Sequence, residues 1–374
     1  MKPIKISVVI GTRPELIKMS PILRRLAEMP DCEFQFIDTG QHYDYEMDLI
    51  FCEELQLPRP IFLDVGSATP GTQTGKAMIA IEEQILNFHP DVIMVAGDTN
   101  STLSGAIVGS KQNIPIAHVE AGLRSFDRSM PEEINRVIVD HISRWLFAPT
   151  QQAIDNLLAE GIDRQKIILT YDIHVDVLND NFKLADEKST IVDDLNLEKY
   201  VLITCHRQGN TDDPLKLAHI VAGLIEAGRE ISIVFPVHPR TDKKLREFNL
   251  YEKLVEAPGI KLIKPVGFFD FLKLMGHAAS VITDSGGVQK EAIILQIPCI
   301  TIRENTEWIE TVELGANVLV GTDPTKLVTA IKQRTTDAFQ LWMQSVPNPY
   351  GEGQTTRIIL DQIINEPALK RYDF

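Results

Sequence analysis

The sequence predicts an α/β protein built from two doubly wound units, each a parallel sheet with helices on both faces. β-branched, strand-like runs alternate with helical patterns along the chain, which is typical of parallel α/β sheets. The strand-like series stops at a polar, acidic stretch at residues 179–199 and starts again at residue 201. The length of 374 residues is also more than one hydrophobic core usually holds.

The first series of strands begins near the N-terminus, with a β-branched run at residues 4–10. Pro14 follows it and suits the first turn of a helix. Apolar residues then recur at helical spacing, at Leu16, Met19, Leu23 and Leu26. The further strands predicted in this series are 34–37, 92–96, 114–119, 146–148 and 167–169.

The second series follows the acidic stretch, which therefore marks the predicted domain boundary. Its strands are predicted at 201–204, 231–237, 260–263, 281–283 and 299–302. We predict an N-terminal Rossmann-like domain at 1–178 and a C-terminal one at 179–353, facing each other across a cleft. A terminal helix at about 354–374 is expected to cross back to the first domain.

Composition excludes several classes of partner. A formal net charge of -15 argues against broad surfaces for nucleic acid or anionic membranes. No apolar run reaches the roughly 18 residues of a membrane span, and the first residues lack the layout of a signal peptide. We therefore predict a cytoplasmic protein. The 4 cysteines have no CxxC spacing, which predicts buried free thiols and not disulfides or a zinc site.

The first candidate binding motif is GTRPE at 11–15, where a predicted strand meets a helix. Open α/β sheets bind ligands beyond the carboxyl ends of their strands, and a helix N-terminus favours anions. Arg13 and Lys18 are thus candidates to face a diphosphate. The alternative is that Arg13 is a surface arginine at a helix start.

Three carboxylates are predicted on the same rim of the first sheet. Asp98 and Glu120 each follow a strand, and Glu132 begins the next helix. Such a group suits general acid–base chemistry when cations or shared protons relieve the repulsion. The alternatives are that Asp98 and Thr99 only provide a helix N-cap, since both residue types are good caps, and that Glu132 and Glu133 only complement a helix dipole.

In the second predicted domain, candidate site residues also lie at the ends of strands, but their side chains differ. His206 and His238 end adjacent predicted strands, and DSGG at 284–287 ends a third strand and opens a helix. Paired glycines allow backbone N–H groups to approach a phosphate. Glu291, one turn further on, is placed to accept both hydroxyls of a ribose. A lone histidine is usually structural, but two at adjacent strand ends favour a site.

Two familiar phosphate-binding patterns are absent. No G-x-G-x-x-G follows a strand, so a dinucleotide fingerprint is missing. GTQTGKA at 71–77 lacks the glycine needed at position 70 and the hydroxyl needed at position 77. No His, Cys, Asp and Glu set has metal-site spacing either.

The ordered motifs together resemble those of the non-hydrolysing UDP-N-acetylglucosamine 2-epimerases, over essentially the whole chain. They are GTRPE at 11–15, TGQH at 39–42, GDT at 97–99, HVEAGLRS at 118–125, PEEINR at 131–136, HPR at 238–240, DSGG at 284–287 and NPYGEG at 348–353. Each motif is weak alone, and their order and spacing carry the resemblance.

The resemblance implies an isomerase with the domain arrangement of GT-B glycosyltransferases. It implies a homodimer that interconverts UDP-N-acetylglucosamine and UDP-N-acetylmannosamine by anti elimination of UDP and re-addition, without metal or cofactor, as a step of polysaccharide biosynthesis. The catalytic residues so implied are Asp98, Glu120, Glu132 and His206. The substrate-binding residues so implied are Arg13, Lys18, Phe271, Ser285, Gly286, Gly287 and Glu291.

Some positions depart from the family pattern. Tyr171-Asp172 replaces a Gly-Asn pair, Gln208-Gly209 replaces Arg-Glu, and Trp308 replaces an arginine that contacts substrate in the family. These changes resemble the branch that epimerises UDP-2,3-diacetamido-2,3-dideoxyglucuronate, which is an alternative substrate. Bacterial members also bind a second, activating UDP-N-acetylglucosamine, near the positions of Gln41 and His42.

Three other functions remain open from the sequence. They are a glycosyltransferase of the same architecture, a hydrolysing relative that releases UDP and free N-acetylmannosamine, and a binding protein without catalysis. Incubation with a UDP-sugar alone separates them, because only an epimerase equilibrates two UDP-sugars.

Overall fold

The structure is a computed structural model that describes residues 3–40, 52–53 and 55–366. It divides into two compact units, one formed by Met1–Val177 with Tyr350–Phe374 and the other by Leu178–Pro349. The first boundary falls inside a helix, Ile173–Lys188. The second lies 3–4 residues before the boundary that the sequence suggested at 353.

In the described part of the first unit, seven parallel strands form one sheet in the order β3-β2-β1-β4-β5-β6-β7. The strands are β1 Ile4–Ile10, β2 Cys32–Asp38, β3 Ile61–Phe62, β4 Val92–Ala96, β5 Ile116–Val119, β6 Trp145–Ala148 and β7 Ile167–Leu169. The helices are α1 Arg13–Glu28, α2 Pro70–Phe88, α3 Asn100–Lys111, α4 Pro131–Ile142, α5 Gln151–Ala159 and α6 Ile173–Lys188, which continues into the second unit, and a 3₁₀ turn covers Arg164–Lys166.

The second unit contains a six-stranded parallel sheet in the order β10-β9-β8-β11-β12-β13. Its strands are β8 Tyr200–Thr204, β9 Ser232–Pro236, β10 Ile260–Ile263, β11 Ser280–Thr283, β12 Cys299–Thr301 and β13 Asn317–Leu319. Its helices are α7 Ile191–Asp194, α8 Gln208–Thr211, α9 Pro214–Ala227, α10 Pro239–Glu247, α11 Tyr251–Val255, α12 Phe268–Gly276, α13 Gly286–Ile294, α14 Ile309–Glu313, α15 Pro324–Arg334 and α16 Asp337–Met343.

Both units confirm the predicted α/β class with doubly wound parallel sheets. Central strands are buried on both faces, as all five residues of β4 are, which is what helices on both sides of a parallel sheet require. The short edge strands β3 and β13 were not predicted. The strand predicted at 114–119 begins at residue 116, and Pro115, which precedes it, has no N–H to donate to a neighbouring strand.

The chain returns to the first unit at its C-terminal helix, α17 Thr355–Ile364. The backbone N–H groups of Thr355 and Thr356 donate to the Asp176 carboxylate at 3.2 and 3.0 Å. The carboxylate thereby caps the start of α17. Residues 367–374 of the predicted terminal helix lie outside the described residues. Among the described residues, no helix combines the length and hydrophobicity that crossing a membrane requires.

Cys52, Cys205 and Cys299 are buried free thiols, and Cys32 is a half-buried one. Burial raises the pKa of Cys299 to about 12. A thiol with so high a pKa is a poor nucleophile at neutral pH.

Candidate active site

The turn between β1 and α1 is shaped by a close contact at Gly11. A Cβ atom at this position would lie 1.8 Å from the Ser101 Oγ, so no larger residue fits without movement. The Glu15 side chain reaches back and accepts hydrogen bonds from the N–H groups of Gly11 and Thr12 at 2.8 and 3.0 Å. The same carboxylate accepts from the Thr99 hydroxyl at 2.6 Å. Glu15 thus ties the turn after β1 to the turn after β4.

Lys18, one turn into α1, forms an ion pair with Glu120. Its Nζ atom lies 2.5 Å from Oε2 of Glu120. Burial opposes the charge on Lys18, but the attraction of Glu120, Asp98 and Glu15 outweighs it and raises the pKa of Lys18 above 10.5. Lys18 therefore carries its charge throughout the physiological range.

Glu120 has a left-handed backbone, with φ of +66°. A non-glycine residue rarely adopts this conformation and needs support from its surroundings. A Cβ placed on Gly97 would lie 3.9 Å from Oε2 of Glu120. The ends of β4 and β5 therefore place the Glu120 carboxylate close to the residue before Asp98.

Asp98 is held by helix α4. Its carboxylate forms an ion pair with Arg136, and its backbone carbonyl accepts a hydrogen bond from Asn135 Nδ2 at 2.8 Å. The cap of α3 is Thr99, whose hydroxyl accepts from the N–H of Thr102 at 3.2 Å. Of the two capping residues that the sequence allowed, Thr99 is therefore the cap, and the Asp98 carboxylate faces Arg136.

The two glutamates at the start of α4 have different environments. Glu133 is buried, and its carboxylate accepts hydrogen bonds from the N–H groups of Ser125 and Phe126 at 2.8 and 3.1 Å. Glu132 is exposed in the same first turn. Glu133 therefore organises the preceding loop, while Glu132 is open to a ligand.

We refer to Lys18, Asp98, Glu120 and Arg136 as the acid–base cluster. It contains two carboxylates, each next to a cation, at neighbouring strand ends of one sheet. Arg13 is half-buried at the first position of α1. Two oxyanions supported in this way can accept and return protons while the neighbouring cations limit their mutual repulsion.

In the second unit, the buried Asp284 organises the end of β8. It accepts hydrogen bonds from the backbone N–H groups of His206 and Arg207 at 3.0 and 2.9 Å. The Nδ1 atom of His206 lies 3.3 Å from the same carboxylate. The rings of His206 and His238 are 5.8 Å apart. The two histidines predicted at adjacent strand ends are thus brought together.

The glycine pair opens helix α13. Ser285 is its N-cap residue, Gly286 is buried, and Gly287 is exposed. Glu291 is half-buried one turn further along α13, and Phe271 is half-buried in α12. A helix N-terminus with exposed glycine backbone is a ready site for phosphate oxygens.

Trp308 packs on the same glycine pair. Its indole N–H donates to the carbonyl oxygen of Gly286 at 2.8 Å, and the Lys290 Nζ lies 5.0 Å from the indole ring centre. Arg303 is engaged with Glu307 at 2.7 Å. The Trp308 side chain is therefore directed toward the start of α13.

The Tyr171-Asp172 pair lies in the first unit, where the chain meets the C-terminal segment. Tyr171 has a left-handed φ of +62°, which a glycine would adopt without strain. The N–H of Asp172 donates to the carbonyl of Tyr350 at 3.1 Å. These residues join β7 to the returning chain.

The sequence motifs contained several of these residues without revealing what they do. Asn135 and Arg136 stand within a quoted motif, but their partner Asp98 lies far away in sequence. Glu15 also stands within one, and its contact with Thr99 is equally distant. The one available signal was the spacing of Asn135 and Arg136 from Glu132, which puts them on one helix end.

Comparison with known proteins identifies relatives across nearly the whole chain. Residues 24–364 match the family model described as UDP-N-acetylglucosamine 2-epimerase. The UDP-N-acetylglucosamine 2-epimerase of Methanocaldococcus jannaschii is 49% identical over 362 residues, covering 94% of this chain and 96% of that protein. A solved structure of UDP-GlcNAc 2-epimerase from M. jannaschii superposes with a TM-score of 0.90 at 46% identity, covering 97% of this chain and 100% of that one.

A more distant relative concerns the alternative substrate. The UDP-2,3-diacetamido-2,3-dideoxy-D-glucuronate 2-epimerase of Pseudomonas aeruginosa is 40% identical over 367 residues, covering 96% of this chain and 99% of that protein.

Proposed function

The chain belongs to the UDP-N-acetylglucosamine 2-epimerase family, and we propose that it is an isomerase that interconverts UDP-N-acetylglucosamine and UDP-N-acetylmannosamine. The relatives with higher identity carry the first of these sugars in their names. One observation carries the proposal within this chain. The acid–base cluster holds two carboxylates beside two cations at the strand ends, where parallel α/β sheets bind ligands.

The proposed reaction breaks and remakes two bonds of the sugar. A carboxylate removes the proton from C2, the bond between C1 and the UDP oxygen breaks, and a C1–C2 double bond forms. A proton then adds to the opposite face of C2 as the UDP oxygen returns to C1. Atoms and charges balance without an oxidant, a reductant or a further reactant.

We assign the proton transfers to Asp98, Glu120 and Glu132. The C2 proton is weakly acidic, so its removal needs a fixed base and a stabilised leaving group. Lys18 holds the Glu120 carboxylate through the 2.5 Å ion pair, and Arg136 holds that of Asp98. Glu132 is exposed and is therefore able to exchange protons with solvent between turnovers.

We assign the departing UDP to the second-unit residues and to Arg13. The backbone at Ser285, Gly286 and Gly287 is available to phosphate oxygens at the start of α13. His206, fixed by Asp284, is placed to receive the charge that develops on the diphosphate. Two further half-buried side chains hold the nucleoside in this proposal, namely Phe271 and Glu291.

Turnover in heavy water tests this function. Incubation with UDP-N-acetylglucosamine should give a mixture of two UDP-sugars, each with deuterium at C2, measured by NMR and mass spectrometry. Accumulation of UDP with free sugar would identify a hydrolase. Unlabelled epimer would exclude proton removal to an exchangeable group. A substrate left unchanged would leave a transferase or an epimerase of the 2,3-diacetamido uronate sugar.

We further propose a homodimer that works in the cytoplasm, in polysaccharide biosynthesis. Support for the dimer comes from α4, where Ile134 and Ile138 are 47% and 38% exposed and extend an apolar face toward solvent. Size-exclusion chromatography with light scattering should give twice the chain mass. A double substitution of both isoleucines with glutamate should yield monomers. Gln41 and His42, proposed for an activating second nucleotide sugar, lie outside the described residues.

A further inference from the structure

A buried histidine–aspartate pair joins the strand ends of the first unit to helix α4. The side chains of His118 in β5 and Asp140 in α4 are both 0% exposed. The Nδ1 atom of His118 lies 2.7 Å from Oδ1 of Asp140, and its Nε2 atom lies 2.8 Å from the carbonyl oxygen of Gly97. Neither residue belongs to the acid–base cluster.

The partners of the imidazole determine its protonation. A backbone carbonyl only accepts hydrogen bonds, so Nε2 of His118 carries a hydrogen. The other carboxylate oxygen of Asp140 accepts from Gly122 N–H at 3.1 Å and lies 2.8 Å from Arg124 Nη1. These two donors favour the ionised carboxylate, which then requires a hydrogen on Nδ1 as well. Both ring nitrogens therefore donate, and His118 is an imidazolium.

Arg124 links the buried Asp140 to Glu160, whose side chain is 26% exposed. Arg124 makes a two-point contact with Glu160, at 2.7 and 2.8 Å. Burial opposes the charge on Asp140, but His118 and Arg124 outweigh it and hold the pKa of that carboxyl below its ordinary value.

The pair fixes the peptide unit that carries Asp98. Gly97 has a left-handed φ of +71°, its N–H donates to the carbonyl of Val119 at 3.1 Å, and its own carbonyl accepts from His118. Asp140 anchors the same helix that brings Arg136 to the Asp98 carboxylate. The backbone and the side chain of Asp98 are thus both positioned through this pair.

We propose that His118, held as an imidazolium by Asp140, is a positioning residue that fixes Asp98 for proton transfer. The proposal rests on the epimerase function proposed above, because it assigns Asp98 a proton-transfer role. The charge state of His118, however, is a property of the folded chain and can be measured without substrate.

Two substitutions of His118 separate its two contacts. The amide nitrogen of asparagine lies near the place of Nδ1, and that of glutamine near the place of Nε2. His118→Asn therefore keeps a donor for Asp140 and loses the one for Gly97, while His118→Gln does the reverse. We expect kcat to fall at least about tenfold further in His118→Asn than in His118→Gln, the scale of about 1.4 kcal/mol, with KM unchanged within about threefold. Equal kcat values in the two folded variants would overturn the positioning role.

Nitrogen-15 NMR of the histidine-labelled protein tests the charge. We expect the His118 signals to show hydrogens on both ring nitrogens near neutral pH, and one to be lost in Asp140→Asn. A single-hydrogen tautomer in the wild type would overturn the imidazolium assignment. If the His118 variants do not fold, the Asp140→Asn variant still tests the proposal. If the wild type turns over no UDP-sugar, the function proposed above fails, and the NMR result still decides the charge.

Discussion

Lys18 and Glu120, 102 residues apart in sequence, form an ion pair with 2.5 Å between Nζ and Oε2. Glu120 holds a left-handed backbone conformation at the end of β5, and Lys18 comes from the helix that follows β1. The side chains are 33% and 14% exposed, so solvent screens the pair less than it screens a surface pair. The orientation of Glu120 therefore depends on Lys18.

This dependence predicts non-additive effects on catalysis. We expect Lys18→Gln and Glu120→Gln each to lower kcat/KM strongly, and the double variant to be less impaired than the product of the two single effects. A coupling free energy of about 1 kcal/mol or more is expected for contacting charges. The cycle is measured as kcat/KM for the four proteins. Additivity within about 0.5 kcal/mol would show that Glu120 works independently of Lys18.

The amide substitutions Asp98→Asn, Glu120→Gln and Glu132→Gln should each lower kcat by about a hundredfold or more, the scale for a positioned acid or base. The melting temperature should change little for Glu132→Gln, because this side chain is exposed. Glu133→Gln is the matched control in the same helical turn and should leave kcat within about tenfold of wild type, below the hundredfold scale of a lost base. Retained activity with strong destabilisation would show that the three carboxylates have a structural role and not a catalytic one.

Glu133 makes a separate prediction about stability and pH. Burial opposes its charge, but hydrogen bonds from Ser125 and Phe126 outweigh that cost and lower the pKa of Glu133 below 4.5. A depressed folded-state pKa contributes stability above the unfolded pKa and loses it as pH falls through the folded value. We therefore expect Glu133→Gln to be less stable than wild type in urea at pH 7. The difference should shrink below about pH 4.5, and a constant difference from pH 7 to pH 3 would contradict this account.

Much of this architecture follows from local patterns. Buried strands such as β4 are long apolar runs, and α1 has a clear helical period, so the sequence predicts both. The edge strands β3 and β13 contain two and three residues, which is too short for any period to be visible. Their pairing is decided by the sheet they join.

Some site residues can likewise be identified from the sequence, while the contacts of others cannot. The ends of strands identify Asp98 and Glu120 as candidates, since strand ends carry ligand sites in this fold. Whether Asp98 or Thr99 caps α3 is not decided by the sequence, because both residue types are good caps. The contacts of Asp98 with Arg136 and of His118 with Asp140 depend on how α4 packs against the sheet, and no local pattern encodes that packing.

The attachment of the C-terminal helix predicts a loss of stability on substitution of Asp176. Its carboxylate is 7% exposed and accepts from two buried N–H groups, those of Thr355 and Thr356. Asp176→Ala should cost about 2–3 kcal/mol, because charged hydrogen bonds are lost and buried donors remain. Asp213→Ala is the matched control. Asp213 accepts from the N–H groups of Leu215 and Lys216 at an exposed helix start, and about 1 kcal/mol is expected there.

The comparison uses urea or thermal unfolding followed by far-UV circular dichroism and by tryptophan fluorescence. A loss for Asp176→Ala no larger than that for Asp213→Ala would mean that water replaces the buried cap. Unfolding that is not two-state would appear as different transitions from the two probes.

Trp308 predicts the sugar preference. By the family resemblance it takes the place of an arginine expected to contact substrate, and its indole N–H donates to the Gly286 carbonyl at 2.8 Å. Losing a charged hydrogen bond to substrate costs about 1.5–3 kcal/mol, unless the sugar compensates by packing on the flat indole. We expect Trp308→Arg to shift the ratio of kcat/KM for UDP-N-acetylglucosamine to that for its 2,3-diacetamido uronate analogue at least about tenfold toward the simple sugar, the factor given by about 1.4 kcal/mol.

Trp308→Phe is the matched control for that shift. It keeps a flat but smaller apolar surface and removes the N–H that reaches Gly286, so both kcat/KM values should fall while their ratio stays within about threefold, or about 0.7 kcal/mol. The ratio is measured with both UDP-sugars under identical conditions for the wild type and the two variants. If the wild type strongly prefers UDP-N-acetylglucosamine and neither substitution alters the ratio, Trp308 supports the glycine turn without selecting the sugar. Equal shifts in both variants would instead trace the preference to what both substitutions remove, the indole ring and its hydrogen bond to Gly286.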